Sequence, residues 1–216
     1  MSKNDEITGN GIFKSKEEIK ENVISITNLH PSKIRNIYVF GSRVYGTYRI
    51  DSDYDIIVVA CSVNSNVEFR NGDYNIHVTT PDIFEDQLIR HNINNLECIF
   101  APSNAQIYQE INYNNIFKLK NGILKKSLIT QSTAAWLKGR KRIESGNIIG
   151  GAKSLFHSIR ILDFGIQIIK YHYIKDFSSS NHIWKILDES ECLKWEEYDN
   201  LCLGKKKFKL KELKEI

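Results

Sequence analysis

The sequence predicts an α+β fold, with a small sheet and flanking helices over residues 1–110 and helices alone over 111–216. Three observations carry this. Two short apolar runs, Ile37-Tyr38-Val39-Phe40 and Ile56-Ile57-Val58-Val59, are bounded by Gly, Ser and Asp and have the length of buried strands. Asn71-Gly72, between Val67–Arg70 and Asp73–Thr79, signals a hairpin, because Asn-Gly favours the primed turns that match strand twist. Beyond residue 116, apolar residues recur at helical spacing through 117–144 and 150–174, with Glu144-Ser145-Gly146-Asn147 as the break.

The elements follow in order. Ser15-Lys16-Glu17-Glu18 has the form of a capping box, and Ile19, Val23 and Ile26 continue at helical spacing, so a helix is expected over about 16–29, ending near His30-Pro31. The 37–40 strand runs into Gly41-Ser42, and a polar, Gly-punctuated stretch leads to Asp53-Tyr54-Asp55 and the second strand. Thr80-Pro81 supplies an N-cap and a first-turn proline for a helix over about 82–91. Leu96–Phe100 and Ala105–Ile111 are short helical candidates. Ser178-Ser179-Ser180-Asn181 opens a loop before short helices at about 182–189 and 193–202, and the charged tail Lys205–Ile216 is expected to fray.

Composition narrows the function classes. With 41% hydrophobic and 26% charged residues in 216, the chain has material for a core, which excludes collagenous, low-complexity and disordered classes. The net charge of +4 is unevenly spread: −5 over 1–116, +10 over 117–175 and −1 over 176–216. A basic band of that kind suits phosphates or nucleic acid. Cys61, Cys98, Cys192 and Cys202 are too far apart for a paired zinc motif and too few for a disulfide scaffold. The first thirty residues contain no apolar core of a signal peptide, and no apolar run reaches the ~20 residues of a membrane span. A cytoplasmic protein without membrane association is expected.

The most informative stretch is Phe40-Gly41-Ser42-Arg43-Val44-Tyr45-Gly46 followed by Asp51-Ser52-Asp53-Tyr54-Asp55. Asp53 and Asp55 are two apart at the start of a strand, so both carboxylates share one face and can share divalent cations. Carboxylate oxygens suit Mg²⁺, or Mn²⁺, which keeps several waters and also takes phosphate oxygens. A Gly-Ser turn after a strand offers backbone N–H groups and a hydroxyl to a phosphate. Two carboxylates for metal and a turn for a triphosphate are the equipment of nucleotidyl transfer.

These residues resemble the DNA polymerase β-type nucleotidyltransferase superfamily, and more closely a branch with GSxxYG and SDxD signatures. Asn95-Leu96-Glu97-Cys98-Ile99-Phe100 and Lys153-Ser154-Leu155-Phe156-His157-Ser158-Ile159-Arg160 match its later motifs, so the likeness spans about 37–165. The resemblance implies a small mixed β-sheet core and a metal-dependent enzyme that moves NMP from an NTP to an acceptor hydroxyl on RNA, protein or a small molecule. In that reaction Asp53 and Asp55 hold the metals and Gly41 and Ser42 grip the phosphates. A third carboxylate, expected on the neighbouring strand, would activate the acceptor. Its place by spacing is Asn75; Asp73, two residues earlier on the same strand face, is the candidate carboxylate, and His77 lies on that face too.

Lys153, His157 and Arg160 fall on one helix face and would form a polar stripe able to close over the nucleotide, against the alternative of an exposed basic face. Glu97 is a candidate partner for that stripe or a plain helix-surface acid, and Tyr45 and Tyr48 read as packing for the Gly-Ser turn rather than as stacking surfaces for a base. Gly146–Ser154 imitates a phosphate-binding loop, but Ala152 interrupts the pattern and no buried strand precedes it, so that reading is rejected. The basic residues of 118–142 read as a solvated face, with an RNA track as the minority reading. Rival functions are a catalytically silent nucleotide- or RNA-binding protein, supported by Asn75, and a toxin–antitoxin partner protein.

Overall fold

The computed structural model describes residues 14–61, 66–190 and 192–216. It divides into two compact units. The first takes the described residues up to Asp86 together with Glu97–Ile116; the second takes Gln87–Leu96 and Phe117–Ile216.

In the first unit, α1 (Lys16–Thr27) begins where the Ser15 hydroxyl accepts the Glu18 N–H at 3.1 Å and stops at Asn28, which adopts the left-handed conformation. The sheet has the order β3-β4-β2-β1-β5, formed by β1 (Ile34–Phe40), β2 (Tyr54–Ala60), β3 (Val67–Asn71), β4 (Tyr74–Thr79) and β5 (Gln106–Gln109). β2 runs parallel to β4 and antiparallel to β1, and the other pairs are antiparallel, so the sheet is mixed. Central β1 and β2 are buried on both faces, which explains why they read as continuous apolar runs. Tyr38 stacks on Phe84, and Phe84 meets Tyr113 at 4.7 Å between centroids, covering the face that also carries Asn36. Asn36 is fully buried and satisfied: its amide nitrogen donates to the Tyr38 hydroxyl and the Ile111 carbonyl, and its oxygen accepts the Ile111 N–H. α3 (Pro81–Ile89) starts at the Thr80 cap, and α4 covers Ile93–Phe100.

Two expectations in this unit change. Residues 106–109 form strand β5 rather than a helix, because pairing with β1 gives these four residues an edge position in the sheet. The hairpin turn is Gly72-Asp73, one residue later than Asn71-Gly72. Asn71 pairs with Tyr74, and Gly72 takes the positive φ of 57°.

The second unit is helical: α5 (Asn121–Glu144), α6 (Ile148–Tyr171), α7 (Asn181–Asp188) and α8 (Trp195–Glu215). α5 and α6 pack closely through glycine. A Cβ on Gly151 would lie 2.3 Å from Ile143 and 3.0 Å from the Gly139 carbonyl, and one on Gly139 would meet Leu155 at 2.9 Å. Of the glycines in the rejected phosphate-loop pattern, Gly151 serves helix packing. Ser132 and Ser158 exchange hydroxyl-to-carbonyl hydrogen bonds of 2.8 Å across the same interface. The tail expected to fray is the second half of α8, held by fully buried Leu213 and by Lys209, whose ammonium meets Asp163 at 2.5 Å.

Candidate active site

The end of β1 and the start of β2 lie side by side, because Phe40 pairs with Asp55. Just past Phe40, Gly41 adopts φ 82° and ψ −157°, a conformation that L side chains rarely adopt, and Ser42–Tyr45 form a single helical turn, α2. A Cβ at Gly41 would stand 2.6 Å from Asp55 Oδ2, so the turn can press against the carboxylate only as glycine. Asp53 is exposed, Asp55 is half-buried, and the alternation of β2 turns both to one face while Tyr54 takes the other.

Asp55 is paired in register with Asn75 on parallel β4. The Asn75 amide donates to Asp55 Oδ1 at 2.9 Å, and its own Oδ1 is buried with no hydrogen-bond partner among the described residues. Asp73 does not take this place. As a turn residue it sends its carboxylate to Lys14 Nζ at 3.0 Å, and that ammonium lies over the rings of Tyr74 and Tyr54, on the side of the strands away from Asp55. The one-residue shift of the turn is the cause, since a residue at a hairpin tip is released from the strand's alternation. His77 sits one pair farther along the same face, its ring 6.2 Å from that of Phe40.

Among the described residues no group of three or more His, Cys, Asp or Glu side chains is placed to hold a metal. The oxygens that could be offered to a cation are those of the two carboxylates, and the orphaned Asn75 oxygen is the other end of the amide whose nitrogen faces Asp55. The carboxylates are hard oxygen ligands and fit Mg²⁺ or Mn²⁺, with water and phosphate completing the coordination.

The polar stripe on α6 has a different character. Lys153 is exposed, but Arg160 is only 1% exposed and its guanidinium donates to His157 Nδ1 while lying over the Phe164 ring. Burial, with Arg160 and Lys138 adding repulsion, pushes the His157 pKa down to about 3, so its imidazole is neutral and an acceptor. Of the three, Lys153 alone is presented to solvent as a cation.

Residues 21–127 match the family profile described as "Polymerase beta, Nucleotidyltransferase". They form a polymerase β-type nucleotidyltransferase domain. Among solved structures, the chain is similar to a spectinomycin adenyltransferase from Enterococcus faecialis solved with ATP and spectinomycin. Identity is 14% over 93% of this chain and 100% of that one, with a TM-score of 0.47. It is also similar to a nucleotidyltransferase-like protein from Exiguobacterium sibiricum 255-15, at 13% identity over 90% and 74%, with a TM-score of 0.36. No curated protein sequence matches it. No helix among the described residues is long and apolar enough to cross a membrane.

Two features of the nucleotidyltransferase domain escaped the sequence reading. Arg43, inside the Gly-Ser turn, is buried and hydrogen-bonds the carbonyls of Ser52 and Asp53. The signal was a lone Arg followed by the packing residues Val44 and Tyr45. Tyr45 donates its hydroxyl to the buried carboxylate of Glu97, tying the end of α2 to α4. Tyr45 reads from sequence as turn packing and Glu97 as a partner for a cation, and residues 52 apart give no local cue to a pair.

Proposed function

We propose that the chain transfers a nucleoside monophosphate from an NTP to an acceptor, releasing pyrophosphate. The observation that carries this is the contact between the glycine turn and a carboxylate: Gly41 stands against Asp55 where β1 and β2 pair, with no room for a Cβ at Gly41, and Asp53 precedes Asp55 by two residues. Asp53 and Asp55 would hold Mg²⁺ or Mn²⁺, with the Asn75 amide beside Asp55, and the ion would supply charge neutralisation for the triphosphate. Gly41 lets the phosphates approach the backbone, and the Ser42 hydroxyl and turn N–H groups donate to them. Catalysis by these residues is positioning and electrostatic stabilisation. His157 and Arg160 are better suited to packing, given a neutral imidazole and a buried guanidinium.

Asp73 is not proposed as the residue that activates the acceptor, because Lys14 engages its carboxylate. The neutral Asn75 favours a second reading, a nucleotide-binding protein with little or no turnover. Incubation of the full chain with each α-labelled NTP, Mg²⁺ and a cell extract, followed by separation of RNA, protein and small molecules, tests the proposal. Label in any acceptor fraction supports transfer. Nucleotide binding without label transfer supports the second reading.

A further inference from the structure

The side chain of Arg43, like those of Val44 and Tyr45 after it in the turn, is directed into the interior. It is 5% exposed. Its Nε donates to the Asp53 carbonyl at 3.3 Å, and Nη2 donates to the Ser52 carbonyl. The guanidinium lies 4.0 Å from the Tyr54 ring centroid and 5.7 Å from that of Tyr48. Tyr54 is on the face of β2 opposite Asp53 and Asp55, so Arg43 passes behind the carboxylates and does not compete for what they bind.

This placement links two halves of the site. Arg43 follows Ser42 directly, so its backbone belongs to the turn that would receive the phosphates. Its fork holds the two carbonyls that flank the Asp53 backbone, which fixes the direction in which Asp53 leaves the chain. A planar fork with two acceptors and an aromatic face is specific to arginine; lysine can reach one carbonyl but cannot reproduce both bonds and the stack. A displacement of the turn is therefore transmitted to the carboxylate loop, and the reverse holds by linkage.

We infer that Arg43 is a positioning residue that couples the phosphate turn to the carboxylate pair, so that nucleotide and divalent cation bind cooperatively. This inference rests on the proposed nucleotide and metal site, and Arg43 itself touches neither ligand. The uncoupled alternative is that Arg43 only fills the interior. That role would lower the melting temperature of a variant without changing how one ligand affects the other.

The test titrates a fluorescent ATP analogue into the full chain, first in EDTA and then at saturating Mg²⁺, for the wild type, Arg43→Lys and Arg43→Gln. In the wild type, Mg²⁺ is expected to tighten nucleotide binding by about 10-fold or more, the range typical of coupled sites. Arg43→Gln should reduce that gain to about 2-fold, and Arg43→Lys should fall between. A wild-type gain in either variant, in protein that still melts cooperatively, overturns the inference, as does a wild type whose nucleotide affinity ignores Mg²⁺. If Arg43→Gln does not fold, Arg43→Lys decides alone. A wild type that binds no nucleotide under any condition overturns the proposed function instead.

Discussion

The glycine turn with its two aspartates and the Lys153–His157–Arg160 stripe on α6 are both clusters of residue types that handle phosphates, yet their surroundings differ. The first is built at the ends of strands, where β1 and β2 stop pairing and backbone groups and carboxylates face outward. The second lies on a helix buried over most of its length, where Arg160 is taken up by His157 and the Phe164 ring, and His157 is kept neutral. The same helical spacing that aligns three side chains also carries them into a packed interface. Residue type and periodicity identify a stripe; burial decides whether it can bind a charged ligand.

That contrast is open to direct challenge. The largest effect apart from the carboxylates themselves is expected at Gly41. Valine there would need a strained backbone, costing about 1–3 kcal/mol, and would drive its side chain into Asp55, so nucleotide affinity by titration calorimetry should fall further than in Ser42→Ala. The serine change deletes one hydroxyl worth about 0.5–1.5 kcal/mol. The reverse order would refute this picture of the turn. Next comes the place beside Asp55. Asn75→Asp should raise the transfer rate about 10-fold or more by supplying a third carboxylate, short of the roughly 100-fold or more that a fully positioned general base contributes. Asp73→Ala should leave the rate within about 2-fold, since that residue only makes a surface ion pair with Lys14. A steady-state comparison in which Asp73→Ala is the damaging change would return the role of base to Asp73.

On the helical side, Gly151→Ala should destabilise by about 1–3 kcal/mol through overpacking against Ile143, seen in chemical denaturation, with nucleotide affinity unchanged. The smallest effect concerns pH. The His157 pKa is about 3 in the folded chain against an ordinary 6.5, so below pH 6.5 the unfolded state binds the extra proton. Stability from this group is complete above pH 6.5 and is lost progressively as pH falls from 6.5 toward 3. His157→Gln should therefore flatten the decline in melting temperature between pH 7 and 5. A decline as steep as that of the wild type would show that His157 titrates normally.

What the sequence made legible follows the range of each interaction. The Ser15 and Thr80 caps, the apolar strands and the break at 145–147 are local signals, and each is found close to its expected place. The Gly-Ser turn and the aspartate pair were visible because a strand end and a period of two determine their geometry within a few residues. The third position was not, because it depended on whether the hairpin turned at Asn71-Gly72 or at Gly72-Asp73, and one residue moves Asp73 from the strand into the turn. Strand β5 was missed since its four residues gain their structure from pairing with β1 rather than from their own pattern. The Tyr45–Glu97 bond and the buried state of Arg160 depend on tertiary packing, for which charge and spacing carry no signal.

Asp53 and Asp55, the second of them set against the glycine turn, are proposed as the metal-binding carboxylates of a working transferase. Pyrophosphate release from NTP, measured with Mg²⁺ and acceptor-containing extract for the wild type and for Asp55→Asn, tests this assignment most directly. Mg²⁺-dependent release is expected from the wild type and a loss of more than about 100-fold in Asp55→Asn, beyond the roughly 10- to 100-fold that changes outside the ligand shell cost, with both proteins melting alike. Near wild-type release by Asp55→Asn, or release indifferent to Mg²⁺, would contradict it.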